Sequence, residues 1–347
     1  MKSIFEPNFR RMNILITGGA GYIGSHTLIE LIEQKYESLF SIDNYLNSEE
    51  DNYKKIKKIT GKTINYFNID LKDKKAITSF FHKNKIDAVI HFAALKSVPE
   101  SVEHPIECYQ NNVGGLLNLI EAMQKSGINK LIFSSSCSVY GNPRVLPVNE
   151  HTSFGNAESP YARSKQIGEN ILEDFCKANK TFNVISLRYF NPAGAHPLGF
   201  IGEGFTKRPN NLVPLITQTA VGLRDQLTVF GTDYNTKDGS CIRDYIHVVD
   251  VAQAHIQALG YFKKMNCNYD VFNLGTGRGT TVLDIINSFE KASGQKLNYK
   301  LGPRRAGDVE TIYADNTKAK KELNWVAKLT IHDMVSSAWK WQQNMKV

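Results

Sequence analysis

Three glycines, Gly18, Gly21 and Gly24, follow directly on the apolar run Asn13-Ile-Leu-Ile-Thr17 and open a stretch of helical periodicity from about Tyr22 to Gln34. Glycine permits positive φ and close backbone approach, so strand, glycine turn and helix in this order make a tight β-to-α connection. The helix N-terminus it creates presents free N–H groups and partial positive charge, which suits a pyrophosphate. A second apolar run, Leu39-Phe-Ser-Ile-Asp43, completes a βαβ unit within about thirty residues. It ends in a carboxylate nineteen positions after Gly24. Asp43 there would accept hydrogen bonds from a ribose diol and repel a 2′-phosphate, which selects NAD over NADP.

The alternation continues. Strand character at Thr63 to Phe67, Ala88 to Phe92, Leu131 to Ser134 and Asn183 to Arg188 is separated by helical patterns near Lys74 to Lys83, a long helix within Ser101 to Lys125, and Pro160 to Ala178. This predicts a doubly wound, mainly parallel α/β sheet over 12–188. From about Tyr189 the chain turns rich in Gly, Pro and Asn, which predicts a smaller, mixed α/β lobe over 189–347, with segments returning to the first domain. Residues 1–11 read as a flexible extension.

Composition removes several alternatives. The formal net charge is +8, but the lysines at Lys54, Lys55, Lys57, Lys58 and at Lys72, Lys74, Lys75 lack interleaved aromatics or a helix-turn-helix pattern, so nucleic acid is not expected. Five cysteines at wide spacings, with no C-x-x-C pair, point to free thiols and to neither a zinc site nor a disulfide framework. No apolar stretch approaches the length of a membrane span, and a cytoplasmic protein is expected.

Chemistry enters with Tyr161 and Lys165, four apart on one predicted helix, preceded by Ser134-Ser135-Ser136 at a strand end. Alone, such a pair is packing plus a surface lysine. Behind a dinucleotide cradle it puts a phenol, an ammonium and a hydroxyl around one substrate oxygen, the set needed for alcohol–ketone chemistry. Bringing a phenol from pKa ~10 to about 7 takes roughly 4 kcal/mol. An ammonium about 5 Å away supplies on the order of 3 kcal/mol at an effective dielectric near 20, and a positive nicotinamide ring the rest. A lowered Tyr161 pKa is therefore expected.

Thr17-Gly-Gly-Ala-Gly-Tyr-Ile-Gly24, His91-Phe-Ala-Ala-Leu-Lys96, Asn111-Asn112-Val113, Ser134-Ser-Ser-Cys-Ser-Val-Tyr-Gly141, Tyr161-x-x-x-Lys165, Arg188-Tyr-Phe-Asn-Pro192 and Arg243-Asp-Tyr-Ile-His-Val248 together resemble the extended short-chain dehydrogenase/reductase family. Within it the chain is similar, from about Met12 to about Trp325, to the UDP-hexose 4-epimerases. The resemblance implies a Rossmann domain with bound NAD. It implies reversible hydride transfer at sugar C4 through a 4-keto intermediate, interconverting UDP-galactose and UDP-glucose. It assigns Ser136, Tyr161 and Lys165 to catalysis. Gly18, Gly21, Tyr22, Ile23, Gly24, Asp43, Asn44, Asp70, Leu71, Phe92, Ala93, Lys96, Asn111 and Tyr189, with Tyr161 and Lys165 again, fall to the cofactor. Ser136, Asn191, Asn211, Leu212, Phe230, Arg243, Arg305, Asp308 and Ile312 fall to the UDP-sugar. Ile312 stands at the position that gates the hexose pocket, which leaves UDP-N-acetylhexosamines as alternative substrates, and UDP-glucuronate is a separate alternative. A non-catalytic NAD sensor is the alternative of a different class. A 4,6-dehydratase would need an acid and a base beside the serine, where this chain has Cys137 and Ser138. The family also implies a homodimer through the helices near Ser101 to Lys125 and Pro160 to Ala178.

Overall fold

The computed structural model describes residues 11–204, 211–305 and 308–345; the expected extension thus lies outside the described residues except for Arg11. Strands β1 (Asn13–Thr17), β2 (Ser38–Asp43), β3 (Asn65–Asn68), β4 (Ala88–His91), β5 (Lys130–Ser136) and β6 (Asn183–Tyr189) alternate with helices. Those helices are α1 (Tyr22–Glu33), α2 (Asn52–Thr60), α3 (Lys74–Lys83), α4 (Val98–Glu103), α5 (Pro105–Tyr109), α6 (Gly115–Lys125) and α7 (Pro160–Ala178).

The second half adds β7 (Asn191–Ala193), α8 (Leu212–Ala220), β8 (Leu227–Phe230), β9 (Ile242–Arg243), β10 (Tyr245–His247), α9 (Val248–Tyr261) and β11 (Tyr269–Leu274). It continues with β12 (Thr280–Thr281), α10 (Val282–Ser293), β13 (Tyr299–Gly302), β14 (Thr311–Ile312), α11 (Thr317–Glu322) and α12 (Ile331–Asn344).

Seven strands form one sheet in the order β11-β6-β5-β4-β1-β2-β3, every neighbouring pair parallel. Period-2 alternation divides its side chains between two cores. Ile14 and Ile16 of β1 face α1 and α9, with Leu28, Leu31, Val251 and Leu259. Leu15 faces the opposite layer of α3, α6 and α7, with Phe80, Leu119 and Leu172. All three β1 residues are fully buried, which contributes about 1.5–3 kcal/mol each before entropy is counted. The edge strand β11 lies beyond residue 189 in sequence, yet it pairs with β6, and α9 packs on α1.

One expected element is different. The helix expected within Ser101 to Lys125 is four pieces: α4, α5, a π turn at Gln110–Gly114, and α6. His104 adopts φ −130° and ψ 62° because the pyrrolidine of Pro105 disfavours helical geometry in the residue before it. The π turn accommodates the tertiary bonds of Asn112 described below.

The other lobe has its own core, in which Ile285 and Phe289 of α10 meet Met334 and Val335 of α12 and Leu227 and Val229 of β8. It is tied closely to the carboxyl end of the large sheet. β7 starts two residues after β6 ends and pairs with β10, while β9 takes β12 on one side and β14 on the other. Residues on β5, β7, β9 and β14 are thereby drawn toward the sheet edge where ligands bind in open α/β folds.

Candidate active site

The glycine turn is sterically committed. Gly18 has φ +73°, and a Cβ there would sit 2.7 Å from the Ala93 nitrogen; at Gly24 it would run into the Gly18 carbonyl. Gly21 caps α1 with no side-chain acceptor and no acidic residue follows in the first turn, so the N-terminal N–H groups face an anion site built from backbone alone. Asp43 Oδ2 accepts from the Ala20 N–H at 3.0 Å and Oδ1 from Tyr45 N–H and Ser48 Oγ at 2.9 and 2.8 Å, fixing the carboxylate against the turn. Oδ2 keeps a further lone pair for a diol. Asn44 Nδ2 donates to Asp70 Oδ2 at 3.2 Å, and Leu71 is buried against Gly115, so these four residues form one rim at the ends of β2 and β3. Donors, carboxylate and glycine clearance fit a dinucleotide.

On the other side of the turn, the Tyr22 hydroxyl donates to the Gly194 carbonyl at 2.6 Å, and Ile23 packs on the core. The Phe92 ring lies 4.7 Å from the ring of His255, whose Nε2 is 2.7 Å from the Tyr189 hydroxyl. Lys96 pairs with Glu203 at 2.6 Å, and the same carboxylate oxygen accepts from Asn211 Nδ2 at 2.7 Å. Asn111 donates to Asn112 Oδ1. Asn112 in turn bonds the Leu95 backbone through both its amide atoms and donates to Ser164 Oγ at 3.0 Å, coupling the loop after β4 to the residue before Lys165.

Ser136, Tyr161 and Lys165 come together. Ser136 is the last residue of β5, and α7 starts from a Ser159 cap with Pro160 in its first turn. The buried Lys165 ammonium donates to the Ser134 carbonyl at 2.7 Å and lies 5.8 Å from the centre of the Tyr161 ring. The Ser136 hydroxyl lies near enough to the Tyr161 phenol to favour its charged form. Burial pulls the Lys165 pKa down to about 8, partly offset by Cys108 and Glu169. Tyr161 departs from the sequence expectation. Its exposed surface is intermediate, yet loss of solvent around the phenol dominates, outweighs the opposing pull of the Ser136 hydroxyl and pushes the pKa up to about 12. These protein groups by themselves favour the neutral phenol.

Four residues away on the same face of α7, Glu169 is buried and accepts from Ser135 Oγ, from Arg188 Nη2 at 2.6 Å and from Arg188 Nε at 2.9 Å. Removing one partner of such a pair costs about 3–5 kcal/mol. The pair braces the end of β5 from beneath. Its i, i+4 spacing from Lys165 was visible in the sequence. Glu203, in contrast, sits in a turn-rich segment with no motif around it.

The expected sugar-nucleotide residues fall into connected groups. Arg305 forks onto Asp308, with Nη2–Oδ1 at 2.7 Å and Nε–Oδ2 at 3.2 Å, and its guanidinium lies 5.6 Å from the Phe230 ring centre. Arg243 Nη2 is 3.9 Å from the same Asp308 carboxylate. Ile312 pairs with Arg243 in the β14–β9 register, but its side chain is buried with Val139, Tyr140, Val148 and Phe190. Asn211 caps α8, whose first residue is Leu212. Asn191 Oδ1 is buried with no hydrogen-bond partner among the described residues, an orphaned acceptor of the kind that a ligand hydroxyl satisfies. No group of three or more His, Cys, Asp or Glu among the described residues is arranged to hold a metal ion.

Known proteins share this arrangement across nearly the whole chain. Residues 15–338 match the GDP-mannose 4,6 dehydratase family. UDP-glucose 4-epimerase of Bacillus subtilis is 48% identical over 334 residues, covering 96% of this chain and 97% of that protein. The chain belongs to the UDP-glucose 4-epimerase family. Solved structures of the family superpose closely. The epimerase from Stenotrophomonas maltophila, with bound NAD and formylated UDP-arabinopyranose, has a TM-score of 0.93 at 42% identity, covering 97% of this chain and 99% of that one. The Bifidobacterium longum enzyme in complex with NAD+ and UDP has 0.91 at 44%, covering 96% and 98%. The local chemistry agrees with the epimerase branch over dehydration: the residues following Ser136 are Cys137 and Ser138, and burial drives the Cys137 thiol up to about 12, useless as a base at neutral pH.

Proposed function

We infer that this chain catalyses the 4-epimerisation of UDP-hexoses, interconverting UDP-galactose and UDP-glucose with NAD in the glycine-turn site. The observation that carries the reading is the Ser136–Tyr161–Lys165 group, which lies at the sheet's carboxyl edge in a chain that has a glycine anion turn and an Arg243/Arg305 cluster. NAD, held by the glycine turn, would supply the acceptor and donor for the hydride of sugar C4. Tyr161 takes the proton of the 4-hydroxyl and gives it back to the 4-keto oxygen. Lys165 stabilises the phenolate through space: at about 6 Å and an effective dielectric near 20 its charge is worth about 3 kcal/mol. Ser136, whose hydroxyl lies near the Tyr161 phenol, holds the reacting oxygen and passes the proton.

Gly18, Gly21, Tyr22, Ile23 and Gly24 hold the pyrophosphate side of the cofactor. Asp43, Asn44, Asp70 and Leu71 serve its adenosine, and Phe92, Ala93, Lys96, Asn111 and Tyr189 serve the nicotinamide half. Arg243 and Arg305 clamp the diphosphate, with Asp308 as the carboxylate that keeps both guanidinium groups in place between turnovers. Asn191 Oδ1 offers its unpaired acceptor to the sugar nucleotide, and Phe230 packs on the uracil. Clamping only the nucleotide leaves the keto-hexose free to present either face, which is what inversion requires.

The protein acts as a homodimer. Val98, Val102, Ile106 and Leu117 are large apolar residues exposed on α4, α5 and α6, an uncovered face beside α7. Five unpaired cysteines suit a reducing cytoplasm, and among the described residues no helix is long and apolar enough to cross a membrane. The test of the catalytic assignment is Tyr161→Phe. UDP affinity should stay within twofold of wild type while kcat falls at least a thousandfold; retained turnover would remove Tyr161 from the mechanism.

A further inference from the structure

Asp244 lies between the diphosphate residue Arg243 and β10, is fully inaccessible to solvent, and takes no part in the chemistry above. Its carboxylate gathers four donors from two other segments. Oδ1 accepts from the Thr276 N–H at 2.8 Å and Thr276 Oγ1 at 2.6 Å, and Oδ2 from the Gly277 N–H at 3.0 Å and the Ala314 N–H at 3.2 Å. Its backbone carbonyl accepts from the Asn191 N–H at 2.9 Å. Gly275 passes so close to Oδ2 that a Cβ at that position would collide with it.

Two of the donors, the Ala314 and Asn191 N–H groups, belong to segments that carry or adjoin a sugar-nucleotide residue, and Thr276 and Gly277 lead into β12, which pairs with β9 at Arg243. Ala314 follows β14 and Ile312 by two positions, Thr276 and Gly277 follow β11, and Asn191 opens β7. We propose that Asp244 is the positioning residue of the sugar-nucleotide half-site, setting Arg243, Asn191 and the β14 strand in register with one another through a single buried carboxylate. This rests on the epimerase reading. A buried carboxylate that is surrounded only by donors has no tolerance for an amide, since one amide N–H would face a backbone N–H and leave both unsatisfied. The displacement should be felt where UDP binds. It should not be felt at Tyr161 or at the glycine turn, to which Asp244 makes no hydrogen bond.

The experiment is Asp244→Asn in the full-length, NAD-loaded protein, with UDP binding by calorimetry, bound NAD by extraction, and KM and kcat for UDP-galactose. Positioning predicts that the UDP Kd and KM rise at least tenfold while kcat changes less than threefold and NAD content is unchanged. A UDP Kd within twofold of wild type overturns the proposal, as does a parallel loss of kcat and NAD, which would mark general destabilisation. If Asp244→Asn does not fold, Thr276→Val decides. It removes only the hydroxyl donor to Oδ1, and it should raise the UDP Kd about threefold at unchanged kcat; no rise overturns the idea. Wild-type protein that neither binds UDP nor converts UDP-galactose would instead bring down the functional reading itself.

Discussion

Replacing Lys165 by Met should abolish turnover and yet leave the fold at least as stable at neutral pH. The lysine pKa drops from 10.5 to about 8 because the ammonium is buried. That is about 3 kcal/mol of cost to the charged form. Methionine removes this cost but orphans the Ser134 carbonyl, a loss of about 1–3 kcal/mol, so the net effect at pH 7 lies between zero and a gain of about 2 kcal/mol. The pH dependence is the sharper signature. Below about 8 both folded and unfolded chains carry the ammonium, and the folded state bears the whole desolvation cost. Between about 8 and 10.5 the folded state has lost its proton while the unfolded chain still holds it, so wild-type stability rises with pH. Urea unfolding of both proteins at equal NAD occupancy, from pH 7 to pH 10, isolates this group because all others cancel in the difference. Wild type should gain on the variant by roughly 2–3 kcal/mol across that range. A difference flat with pH, or a variant that is less stable by more than about 2 kcal/mol at pH 7, would refute a charged, desolvated Lys165. Loss of the charge also removes the ammonium's through-space attraction for the Tyr161 phenolate, worth ~100-fold in phenolate population.

Two further outcomes follow from the same geometry. Ser136→Ala should lower kcat by about 10- to 100-fold with UDP affinity within twofold of wild type, since the hydroxyl lies beside the Tyr161 phenol and serves the reacting oxygen; a change confined to KM would reassign it. Ile106→Glu together with Val102→Glu, at side chains 72% and 59% exposed, should leave a folded monomer by analytical ultracentrifugation, and a persistent dimer would place the interface elsewhere.

Much of this was legible from local chemistry. The glycine turn could be read because Gly18 and Gly24 occupy positions where the backbone itself excludes a side chain, and the helix of Tyr161 and Lys165 could be bounded because Ser159-Pro160 is a capping signal. The break at Pro105 was equally available, since the residue before a proline is pushed out of the helical region. The π turn was not, because it depends on Asn112 reaching the Leu95 backbone and Ser164. Nor could spacing show that β11 returns to the large sheet, as an apolar run does not name its partner. The burial of the phenol was hidden from the sequence for a related reason. A pairwise sum over neighbouring charges omits burial, which only the packed structure supplies and which outweighs the other contributions at Tyr161.

The most direct test is to incubate the purified protein with UDP-galactose, adding no NAD, and to follow UDP-glucose by NMR, then to repeat the run from UDP-glucose. Hydride that leaves C4 and returns within one site predicts approach to the same fixed ratio from both directions, with a C4 deuterium label retained in the product. Absence of conversion with NAD supplied, or loss of the label to solvent, would contradict epimerisation by internal hydride return.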